Sequence, residues 1–399
     1  MPSFLTLDDI EVGSKRVLLR ADLNVPVRNG AVTDTMRIER LAPTIRELAD
    51  KGARVVVMSH FGRPEHGFDP ALSLRPLIAP LSKAVERPVA FASDCIGTEA
   101  RRVVDGLKPG GVALLENLRF HKGEEANDPA FARELAALGD VYVNDAFSTA
   151  HRAHASTEAV ARLLPAAAGR LMQAELEALQ AVLETPKRPL GAIVGGAKVS
   201  TKLQLLEFLL AKVQVLIIGG AMANTMLFAQ GKNIGRSLVE REMAETAHGI
   251  LAAAKSASCE LVLPVDVKVA RVLREGVGTQ TVPVDRVPED CMILDIGPAT
   301  IELVGSWLER CPTLVWNGPV GAFEVKPFDA GTAAIGRRVA ALTRAGKLMS
   351  VAGGGDTVAA LNQAGVADQL SYVSTAGGAF LEWLEGRELP GVKALTRSP

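Results

Sequence analysis

Four arginines in the first half of the chain have the positions expected of an anion-binding site. Arg63, Arg119 and Arg152 each follow a short apolar run, in SHFGRP, ENLRF and AFSTAHRAH, and Arg37 comes in the next loop or first helical turn after RADLNVP. A guanidinium group binds carboxylate and phosphate oxygens through two parallel N–H donors. Taken singly, each arginine is more often a surface residue. If the fold brings them to one sheet edge, they predict a site for a small, multiply anionic molecule.

Other polar side chains stand at the ends of the same apolar runs. Asp22 and Asn24 lie in RADLNVP and His60 lies in SHFGRP. His151 and His154 are three residues apart, a spacing compatible with a metal pair, but no third ligand lies nearby in the sequence. A hydrogen bond to an anionic substrate, or a structural hydrogen bond, is the favoured interpretation of this pair.

Glycine-rich turns end four apolar runs in the second half and open a helical pattern each time. They lie within residues 193–210, 217–228, 350–361 and 374–384. In open parallel sheets, ligands bind beyond the carboxyl ends of the strands, where glycine lets helix N-terminal N–H groups approach phosphate oxygens. For any single turn, a purely conformational role is the alternative, because glycine readily adopts positive φ. Four such turns in one half favour a polyphosphate ligand.

Neither standard nucleotide signature is present in the chain. No GxGxxG follows an apolar run, and GxxxxGK[ST] does not occur. A dinucleotide dehydrogenase and a Walker-type NTPase are therefore both disfavoured.

Two lysines follow the first glycine turn directly. Lys198 and Lys202 are four residues apart after Gly195-Gly196. We predict that they occupy the first helical turns and direct two ammonium groups at one ligand. A solvated surface position is the alternative.

Asp356 stands at the start of the helical pattern that follows three glycines. It is either the N-cap of that helix or a ligand of Mg²⁺. The second role is chemically sufficient, because Mg²⁺ on nucleotide phosphates needs only one or two protein carboxylates and keeps several waters. Thr357 would then donate a hydrogen bond to a phosphate oxygen.

Apolar runs and helical patterns alternate along the chain, which is typical of doubly wound parallel sheets. Most runs lack strict polar alternation, as strands covered on both faces do. Helical patterns include residues 36–51 and 128–138, and the runs lie at 16–26, 53–60, 111–120, 140–147, 190–196, 213–220, 260–270, 313–321 and 346–355.

The domain boundary is expected near residues 165–190. With roughly 150 residues per domain, a chain of 399 residues predicts two large domains or three small ones. Met172, Leu176, Leu179 and Leu183 form the apolar stripe of a helix that Pro186 and Pro189 terminate. On periodicity alone, this helix either connects two domains or belongs to the core of one.

Composition indicates a soluble globular protein. Hydrophobic residues make up 48%, and 44 Lys and Arg against 45 Asp and Glu leave a net charge of −1. Such a balance provides no field that attracts a polyanion, so nucleic acid is not an expected partner. The window 213–231 contains glycines and amide side chains and reads as strand, turn and helix rather than a membrane span.

The cysteines and the N-terminus favour the cytoplasm. Acidic residues at positions 8, 9 and 11 stand where a signal peptide needs an apolar stretch, so we expect no export signal. Four scattered cysteines without CxxC spacing argue against zinc modules and a disulfide framework and fit a reducing compartment: Cys95, Cys259, Cys291 and Cys311.

The motifs, taken in chain order, resemble those of the phosphoglycerate kinase family. The resemblance covers essentially the whole chain and rests on RADLNVP, SHFGRP, ENLRF, AHRAHAS, VGGAKVSTK, IGGAMANT, DIGP, VWNGPVGAFE and GGGDT. It implies an α/β fold of two doubly wound, Rossmann-like parallel-sheet domains joined by a hinge helix.

The resemblance also implies how the chain is divided and where ligands bind. Residues 1–170 would bind 3-phosphoglycerate, 171–188 would be the interdomain helix, and 189–384 would bind Mg-ADP or Mg-ATP. The tail, about 385–399, would pack back on the first domain. It implies a monomer with small-molecule substrates and without a nucleic-acid or membrane partner.

Site residues follow by motif. The phosphoglycerate would be held by Asp22, Asn24, Arg37, His60, Arg63, Arg119, His151 and Arg152. The nucleotide would be held by Lys198, Lys202, Gly219, Gly220, Asn317, Glu324, Gly354, Gly355, Asp356 and Thr357. Asp356 would be the Mg²⁺ ligand, and the residues nearest the chemistry would be Arg37, Lys198 and Lys202.

The implied reaction is reversible, Mg²⁺-dependent phosphoryl transfer between 1,3-bisphosphoglycerate and ADP, giving 3-phosphoglycerate and ATP. A substrate carboxylate is already ionised at pH 7, so no general base is needed, and the protein positions the reactants and neutralises charge. Two rivals are a two-domain anion-binding clamp without catalysis and a nicotinamide dehydrogenase. The additional, glycine-rich phosphate site counts against the clamp. The missing GxGxxG signature counts against the dehydrogenase.

Three positions depart from the usual family pattern. Phe61 stands where leucine is common, Ser148 where glycine is common, and Ala299 where a longer residue is common. None removes a charged group. We expect the Cβ of Ser148 to shift its loop slightly, because it lies close to a substrate arginine in the sequence.

Overall fold

The computed structural model describes residues 4–28, 30–65 and 67–396. The chain divides into two compact units. We call Met1–Leu176 together with Glu388–Pro399 the N-terminal unit, and Glu177–Arg387 the C-terminal unit. Each is built on a parallel six-stranded sheet, which confirms the doubly wound α/β class predicted from the sequence.

The sheet of the N-terminal unit has the order β5-β6-β4-β1-β7-β8, and all of its pairings are parallel. The short strands β2 and β3 form a separate antiparallel ribbon. The strands are β1 (Arg16–Arg20), β2 (Val27–Arg28), β3 (Ala31–Val32), β4 (Arg54–Met58), β5 (Val89–Ala92), β6 (Val112–Leu115), β7 (Val141–Asn144) and β8 (Ala166–Ala168).

Strand order reverses beside β1. From β1 the chain moves to β4 on one side and later to β7 on the other. A parallel sheet opens a crevice at such a reversal, beyond the carboxyl ends of the strands. This topology fixes the edge where a ligand site is expected.

Helices cover this sheet and bury its strands on both faces. Strand β6, for example, is buried at all four positions, which explains its uninterrupted apolar sequence. The helices are α1 (Met36–Asp50), α2 (Ile78–Val85), α3 (Gly97–Asp105), α4 (Lys122–Glu125), α5 (Pro129–Ala136) and the beginning of α6 (Arg170–Leu183), whose residues from Glu177 onward belong to the C-terminal unit.

The sheet of the C-terminal unit has the order β11-β10-β9-β15-β16-β17 and is also parallel throughout. Its strand order reverses beside β9. The strands of this unit are β9 (Leu190–Val194), β10 (Val215–Ile218), β11 (Glu260–Val262), β12 (Asp266–Ala270), β13 (Gln280–Pro283), β14 (Met292–Ile296), β15 (Thr313–Asn317), β16 (Met349–Gly353) and β17 (Tyr372–Ser374).

Trp316 is fully buried in the core of the C-terminal unit, among aliphatic side chains of the sheet and of α10 and α11. The helices are α7 (Leu203–Leu210), α8 (Gly220–Ala229), α9 (Ala244–Ser256), α10 (Pro298–Leu308), α11 (Ala330–Arg344), α12 (Gly355–Gln363) and α13 (Gly378–Leu384), and a last helix of the chain, α14 (Pro390–Lys393), belongs to the N-terminal unit.

A second, antiparallel sheet in the C-terminal unit was not predicted. Strands β13, β12 and β14 form it. The run 260–270 was expected to be one strand, but it is divided between β11 in the parallel sheet and β12 in the antiparallel one. Pro264 lies between them and has no N–H to continue a ladder, so the chain leaves the first sheet there.

Residues that follow Arg387 belong to the N-terminal unit. The N–H of Gly391 donates a hydrogen bond to the carbonyl of Ala150 at 2.9 Å, and Phe4 pairs with Thr396 through an antiparallel bridge. Residues 385–387 of the predicted tail fall in the C-terminal unit, and residues 397–399 lie outside the described residues.

Among the helices that the structure describes, none is both long and apolar enough to cross a bilayer. This finding agrees with the interpretation of residues 213–231 as strand, turn and helix, since β10 and α8 occupy that window.

Asp145 links the end of β7 to the beginning of α6. Its Oδ1 accepts hydrogen bonds from the backbone N–H groups of Leu171, at 2.7 Å, and Met172, at 3.1 Å. Burial raises the pKa of Asp145 to about 6, although these two hydrogen bonds oppose the shift. The helix start is therefore held by a carboxyl group that is costly to ionise.

Replacing Asp145 by asparagine should remove a pH-dependent loss of stability. The folded pKa of about 6 exceeds an unfolded value of about 3.9, so the native state binds more protons between them. Wild-type stability therefore falls as pH rises through this window. Asp145→Asn keeps an oxygen for both N–H groups, and its stability relative to wild type should rise by about 1–3 kcal/mol from pH 4 to pH 7. Urea midpoints at both pH values measure this.

Asp140→Asn provides the control of opposite sign. Arg16 lowers the pKa of Asp140 through an ion pair of 2.7 Å. That contribution is present above the unfolded pKa and is lost as pH falls through the folded one. Asp140→Asn should therefore lose stability relative to wild type as pH rises. A parallel response of the two variants would contradict the assignment for Asp145.

Candidate functional site

The residues predicted to bind an anion lie in one unit, at the carboxyl ends of four neighbouring strands. These strands are β6, β4, β1 and β7, which surround the reversal of strand order. Asp22 and Asn24 follow β1, His60 and Arg63 follow β4, Arg119 lies in the 3₁₀ turn Leu118–Phe120 after β6, His151 and Arg152 follow the 3₁₀ turn Phe147–Thr149 after β7, and Arg37 lies in the first turn of α1.

Asp22 is the point at which three segments of this edge meet. Its Oδ2 accepts hydrogen bonds from Nη1 of Arg37, at 2.7 Å, and from Oγ of Ser148, at 2.6 Å. Its Oδ1 accepts from the backbone N–H of Asn24 at 3.1 Å. The carboxylate thus links the loop after β1 to α1 and to the loop after β7.

Hydrogen bonds continue from Asn24 toward the other side of the sheet. Oδ1 of Asn24 accepts from the N–H of Gly62 at 3.1 Å, and the carbonyl of Gly62 accepts from Nη1 of Arg119 at 2.7 Å. Nε of Arg119 lies 3.1 Å from Oε1 of Glu125. We call the series Ser148, Asp22, Asn24, Gly62, Arg119 and Glu125 the edge chain.

The Asp22 carboxylate stays ionised. Burial alone would raise its pKa, but the charge of Arg37 and the hydrogen bonds from Ser148 and Asn24 outweigh burial and lower the pKa. One lone pair of Oδ1 beyond the Asn24 contact remains for a ligand hydroxyl.

His60 is neutral and has a defined tautomer. Its Nδ1 lies 3.2 Å from Nη2 of Arg20, and because arginine only donates, Nδ1 accepts and Nε2 carries the proton. Burial lowers the pKa of His60 to about 2, with the charge of Arg20 as the next cause. His60 therefore presents an N–H donor without a positive charge.

Arg20 belongs to a buried polar network that sequence reasoning missed. Its Nε donates to Oγ of Ser156 at 2.8 Å, and Oγ of Ser156 donates to Oε1 of Glu124 at 2.6 Å. Arg20 and Glu124 are almost fully buried. A charged residue that ends the apolar run RVLLR was the available signal, since such a residue is rarely buried without a partner.

The remaining cations of this edge differ in exposure. Arg119 is buried. Burial lowers its pKa, the charges of Arg152 and Arg20 lower it further, and the charge of Glu125 acts in the opposite direction. Nε of Arg152 donates to Nε2 of His151 at 3.2 Å. Arg37 and Arg63 are exposed. This edge carries more cationic than anionic groups and can bind a ligand with several negative charges.

Asp94, Cys95 and His121 are the only three potential metal ligands grouped within 4.8 Å of one another in the described chain. Nε2 of His121 already lies 2.7 Å from Oδ1 of Asp94. Burial, with Asp94 next, raises the pKa of the Cys95 thiol well above its usual value, so the thiol remains protonated. We assign the group a structural role. His151 and His154 are not part of it.

The residues predicted to bind a nucleotide lie in the C-terminal unit, around the reversal of strand order beside β9. Gly195 and Gly196 follow β9, Gly219 and Gly220 follow β10, Asn317 ends β15, and Gly354 to Thr357 follow β16. These strands are neighbours. Glu324 is exposed in the segment between β15 and α11.

Close backbone approach requires glycine at two of these loops. A Cβ on Gly195 would lie 1.9 Å from the carbonyl oxygen of Pro319, and a Cβ on Gly318 would lie 2.1 Å from the carbonyl oxygen of Gly195. The loops after β9 and β15 therefore contact each other through backbone alone. Gly220 donates its N–H to the carbonyl of Val320 at 3.0 Å, so it joins the same contact.

Lys198 and Lys202 precede α7, so their predicted position in its first turns is wrong. The helix begins at Leu203. The physical reason is Glu240, whose carboxylate accepts both the N–H and the hydroxyl of Ser200 and holds the segment in a loop conformation that competes with helix formation. Lys198 is exposed in that loop.

Lys202 is partly buried and points to the end of β15. Its Nζ donates to Oδ1 of Asn317, and Nδ2 of Asn317 donates to the carbonyl of Gly353 at 2.8 Å. Burial lowers the pKa of Lys202, while Asp356 and Glu385 act in the opposite direction. The ammonium group is thus held between the loops after β9, β15 and β16.

Thr357 supports the glycine loop with its hydroxyl group. Oγ1 donates to the carbonyl of Gly353 at 2.8 Å and accepts from the N–H of Gly318 at 2.7 Å. A hydroxyl has a single proton, and in this arrangement that proton is donated within the protein. Donation from Thr357 to a phosphate oxygen stays a prediction.

Asp356 lies exposed in the first turn of α12, whose N-cap is Gly354. The N-cap alternative for Asp356 is therefore wrong. The first N–H groups of α12 have no intrahelical acceptor and form an anion-binding position. A carboxylate beside it suits a hard cation that bridges phosphate oxygens.

Comparisons with known proteins identify a single family. A family model described as phosphoglycerate kinase matches residues 7–387. Curated relatives with that name include one from Methylorubrum extorquens, 63% identical over 99% of both chains, and one from Rhodospirillum centenum, 61% identical over 98% of this chain and 99% of the relative.

Solved structures agree with this match. The phosphoglycerate kinase of Coxiella burnetii has a TM-score of 0.92 at 45% identity and covers 98% of this chain and 99% of its own. That of Pyrococcus horikoshii OT3 has a TM-score of 0.78 at 31% identity, with 98% of each chain covered.

The His60 tautomer can be tested by NMR of the histidine rings. We expect the His60 ring, assigned by comparison with His60→Gln, to remain neutral with its proton on Nε2 from pH 7 down to pH 5, because burial and Arg20 lower its pKa to about 2. An imidazolium signal from His60 in this range, or a proton on Nδ1, would contradict the geometry.

Proposed function

The chain belongs to the phosphoglycerate kinase family, and we propose that the two sheet-edge sites carry out its reaction in separate roles. The edge in the N-terminal unit binds 3-phosphoglycerate or 1,3-bisphosphoglycerate, and the edge in the C-terminal unit binds ADP or ATP. The enzyme is a phosphotransferase with a carboxyl group as acceptor. The observation that carries this assignment is the contrast between an arginine-rich edge and a glycine-rich edge, each at a reversal of strand order.

The arginine-rich edge suits the chemistry of 3-phosphoglycerate. This substrate has a phosphate, a carboxylate and a hydroxyl group. Arg63, Arg119 and Arg152 provide bidentate donors for the anionic groups, and Asp22 has an acceptor for the hydroxyl. Neutral His60, with its proton on Nε2, adds a donor. Asn24 belongs to the site through its hydrogen bond from the N–H of Gly62, and His151 belongs to it through its hydrogen bond from Arg152.

The glycine-rich edge suits a nucleotide diphosphate or triphosphate. N–H groups of Gly355 and its neighbours at the start of α12 provide donors for phosphate oxygens without side-chain bulk. Lys198 and Lys202 provide charge, and Asn317 orients Lys202. Glu324 has acceptors for ribose hydroxyls, and Gly219 and Gly220 line the neighbouring strand end.

The donor set also fits Mg²⁺. Asp356 is an exposed carboxylate beside phosphate-binding N–H groups, and phosphate oxygens with waters complete the coordination that Mg²⁺ prefers. When bound, Mg²⁺ neutralises charge on the nucleotide phosphates. Asp356 is the residue that would hold it.

Transfer needs positioning rather than proton removal. The acceptor carboxylate is ionised at neutral pH, so it attacks phosphorus without a base. Arg37, Lys198 and Lys202 place positive charge around the transferring group, whose equatorial oxygens carry the charge of a loose transition state. In-line transfer brings both reactants to one phosphorus, and hinge closure of the two units is the proposed route.

The setting proposed for this reaction is the cytoplasm, with the protein as a monomer. All four cysteines are free in the structure, which is compatible with a reducing compartment. An anion-binding and nucleotide-binding clamp without catalysis is the second candidate, because each edge alone explains binding.

A coupled assay with 3-phosphoglycerate, ATP and Mg²⁺ tests the function and the metal ligand together. We expect Mg²⁺-dependent turnover that EDTA abolishes and that Asp356→Ala reduces by at least about 10²-fold at low Mg²⁺, with partial recovery at high Mg²⁺. Asp368→Ala, an exposed aspartate of the same unit, should retain wild-type activity. Nucleotide binding without turnover would favour the clamp, and equal Mg²⁺ dependence of both variants would exclude Asp356 as the ligand.

Lys202→Ala should lower kcat by at least about 10²-fold, the scale of one lost transition-state charge partner. Lys347→Ala removes an exposed lysine of the same unit and should leave kcat unchanged. Steady-state kinetics with both substrates varied measure the effect. If Lys202→Ala raises only the KM for ATP, the ammonium group binds the ground state and has no further role in transfer.

A further inference from the structure

Ser148 is a contact of the proposed phosphoglycerate site that the family resemblance does not assign. It lies in the 3₁₀ turn Phe147–Thr149, just before His151 and Arg152. Its Oγ donates a hydrogen bond of 2.6 Å to Oδ2 of Asp22. The residue is not among the non-glycine residues with positive φ, so serine fits this turn without backbone strain.

We propose that Ser148 is a positioning residue for 3-phosphoglycerate, whose hydroxyl group holds the loop of His151 and Arg152 against the Asp22 carboxylate. This inference rests on the proposed function, because it assumes that this edge binds the acceptor substrate.

Ser148 differs from its neighbours in the partner that it contacts. Oγ1 of Thr149 donates to the carbonyl of Ala146, and Nε of Arg152 donates to His151, so these bonds remain within the segment after β7. The Ser148 hydroxyl instead reaches the segment after β1. It thereby attaches the loop of Arg152 to the edge chain, which continues through Asn24 to Arg119.

Ser148 also adjusts the contact between Asp22 and Arg37. Both donate to Oδ2 of Asp22, and Arg37 uses Nη1 for this bond and for the carbonyl of Asn24. Within the described part of the chain, Nε and Nη2 of Arg37 have no hydrogen-bond partner and can donate to a ligand. A second donor on Oδ2 spreads the charge of the carboxylate and leaves more of the charge of Arg37 for the substrate.

Removal of the hydroxyl should affect one substrate selectively. Because a hydrogen bond to a charged group is lost, Ser148→Ala should raise the KM for 3-phosphoglycerate by about 10-fold, with the KM for ATP changed by less than about twofold. Ser148→Thr keeps a hydroxyl and should restore the KM to within about threefold of wild type. Steady-state kinetics with each substrate varied give both values.

The pH profile provides a second measurement. Asp22 faces Arg37 from α1, His60 from the loop after β4, the Asn24 N–H and the Ser148 hydroxyl. The hydrogen bond from Ser148 lowers the pKa of Asp22, so its loss raises that pKa, and His60 adds no charge because it stays neutral. The acidic limb of kcat/KM for 3-phosphoglycerate should therefore move to higher pH in Ser148→Ala and return in Ser148→Thr.

Ser306→Ala is the matched control. Ser306 also donates one short hydrogen bond, 2.7 Å to the carbonyl of Leu303, but lies on α10 in the other unit. It should leave both KM values unchanged. Ser148→Gly, the residue common in the family, lacks the hydroxyl as well and replaces Ser148→Ala if the alanine variant does not fold by circular dichroism.

Different kinetic results would overturn the role of Ser148 and the proposed function. An active wild type whose KM for 3-phosphoglycerate is unaffected in folded Ser148→Ala or Ser148→Gly would overturn the role of Ser148 and leave the function intact. A rise in KM that Ser148→Thr does not reverse would also overturn it. A wild type without turnover of 3-phosphoglycerate would instead overturn the proposed function.

Discussion

Burial of the parallel strands on both faces is the constraint on which the rest of this structure depends. A strand such as β6 or β10, apolar and buried at every position, has no solvent-facing side on which polar chemistry can be placed. Only the strand ends remain. The strand order reverses beside β1 in one sheet and beside β9 in the other. At each reversal the carboxyl ends of the neighbouring strands open a crevice. All substrate-binding and nucleotide-binding candidates lie at these two edges or in the segments that follow them.

The two edges offer different physical means of binding the anions proposed for them. In the N-terminal unit, charged side chains emerge from apolar strands, so each charge needs a partner at the boundary of the core. Arg20 has Ser156 and Glu124 behind it, and Asp22 has Arg37 and Ser148. In the C-terminal unit the donors are largely backbone groups. There the loops after β9 and β15 pack against each other through their backbones, and Gly195 and Gly318 permit this because no Cβ fits between the loops.

The sequence predicts that the glycines of the second half and the arginines of the first half lie at strand ends, because both signals are local: each is a residue type that follows an apolar run. It predicts the parallel sheets for the same reason, since doubly buried strands lack polar alternation. The loop position of Lys198 could not be predicted, because it depends on Glu240, which lies about 40 residues along the chain and holds Ser200. The tautomer of His60 likewise depends on Arg20, which reaches it from another strand. The antiparallel sheet is the exception, because its signal was local: Pro264 interrupts an apolar run that otherwise reads as one strand. Long-range hydrogen bonds, rather than local propensity, determine the loop position of Lys198 and the tautomer of His60.

The chemistry of the proposed acceptor explains why neither His60 nor Asp22 has a pKa near neutrality. A hydroxyl acceptor would require a base with a pKa near 7, and a carboxylate acceptor does not. His60, the obvious candidate for a base, is too weak for that role, because burial and the charge of Arg20 lower its pKa to about 2. Asp22 is kept ionised by Arg37 and its hydrogen bonds. Both groups therefore hold one protonation state throughout the physiological range, which suits the proposed task of this site, the orientation of anionic reactants without proton transfer. The proposed role of the edge chain follows from this, because when no proton moves the rate depends on how accurately the arginines are placed. Nη1 of Arg119 donates to the carbonyl of Gly62, and the loop that carries Arg152 is linked to Asp22 through Ser148.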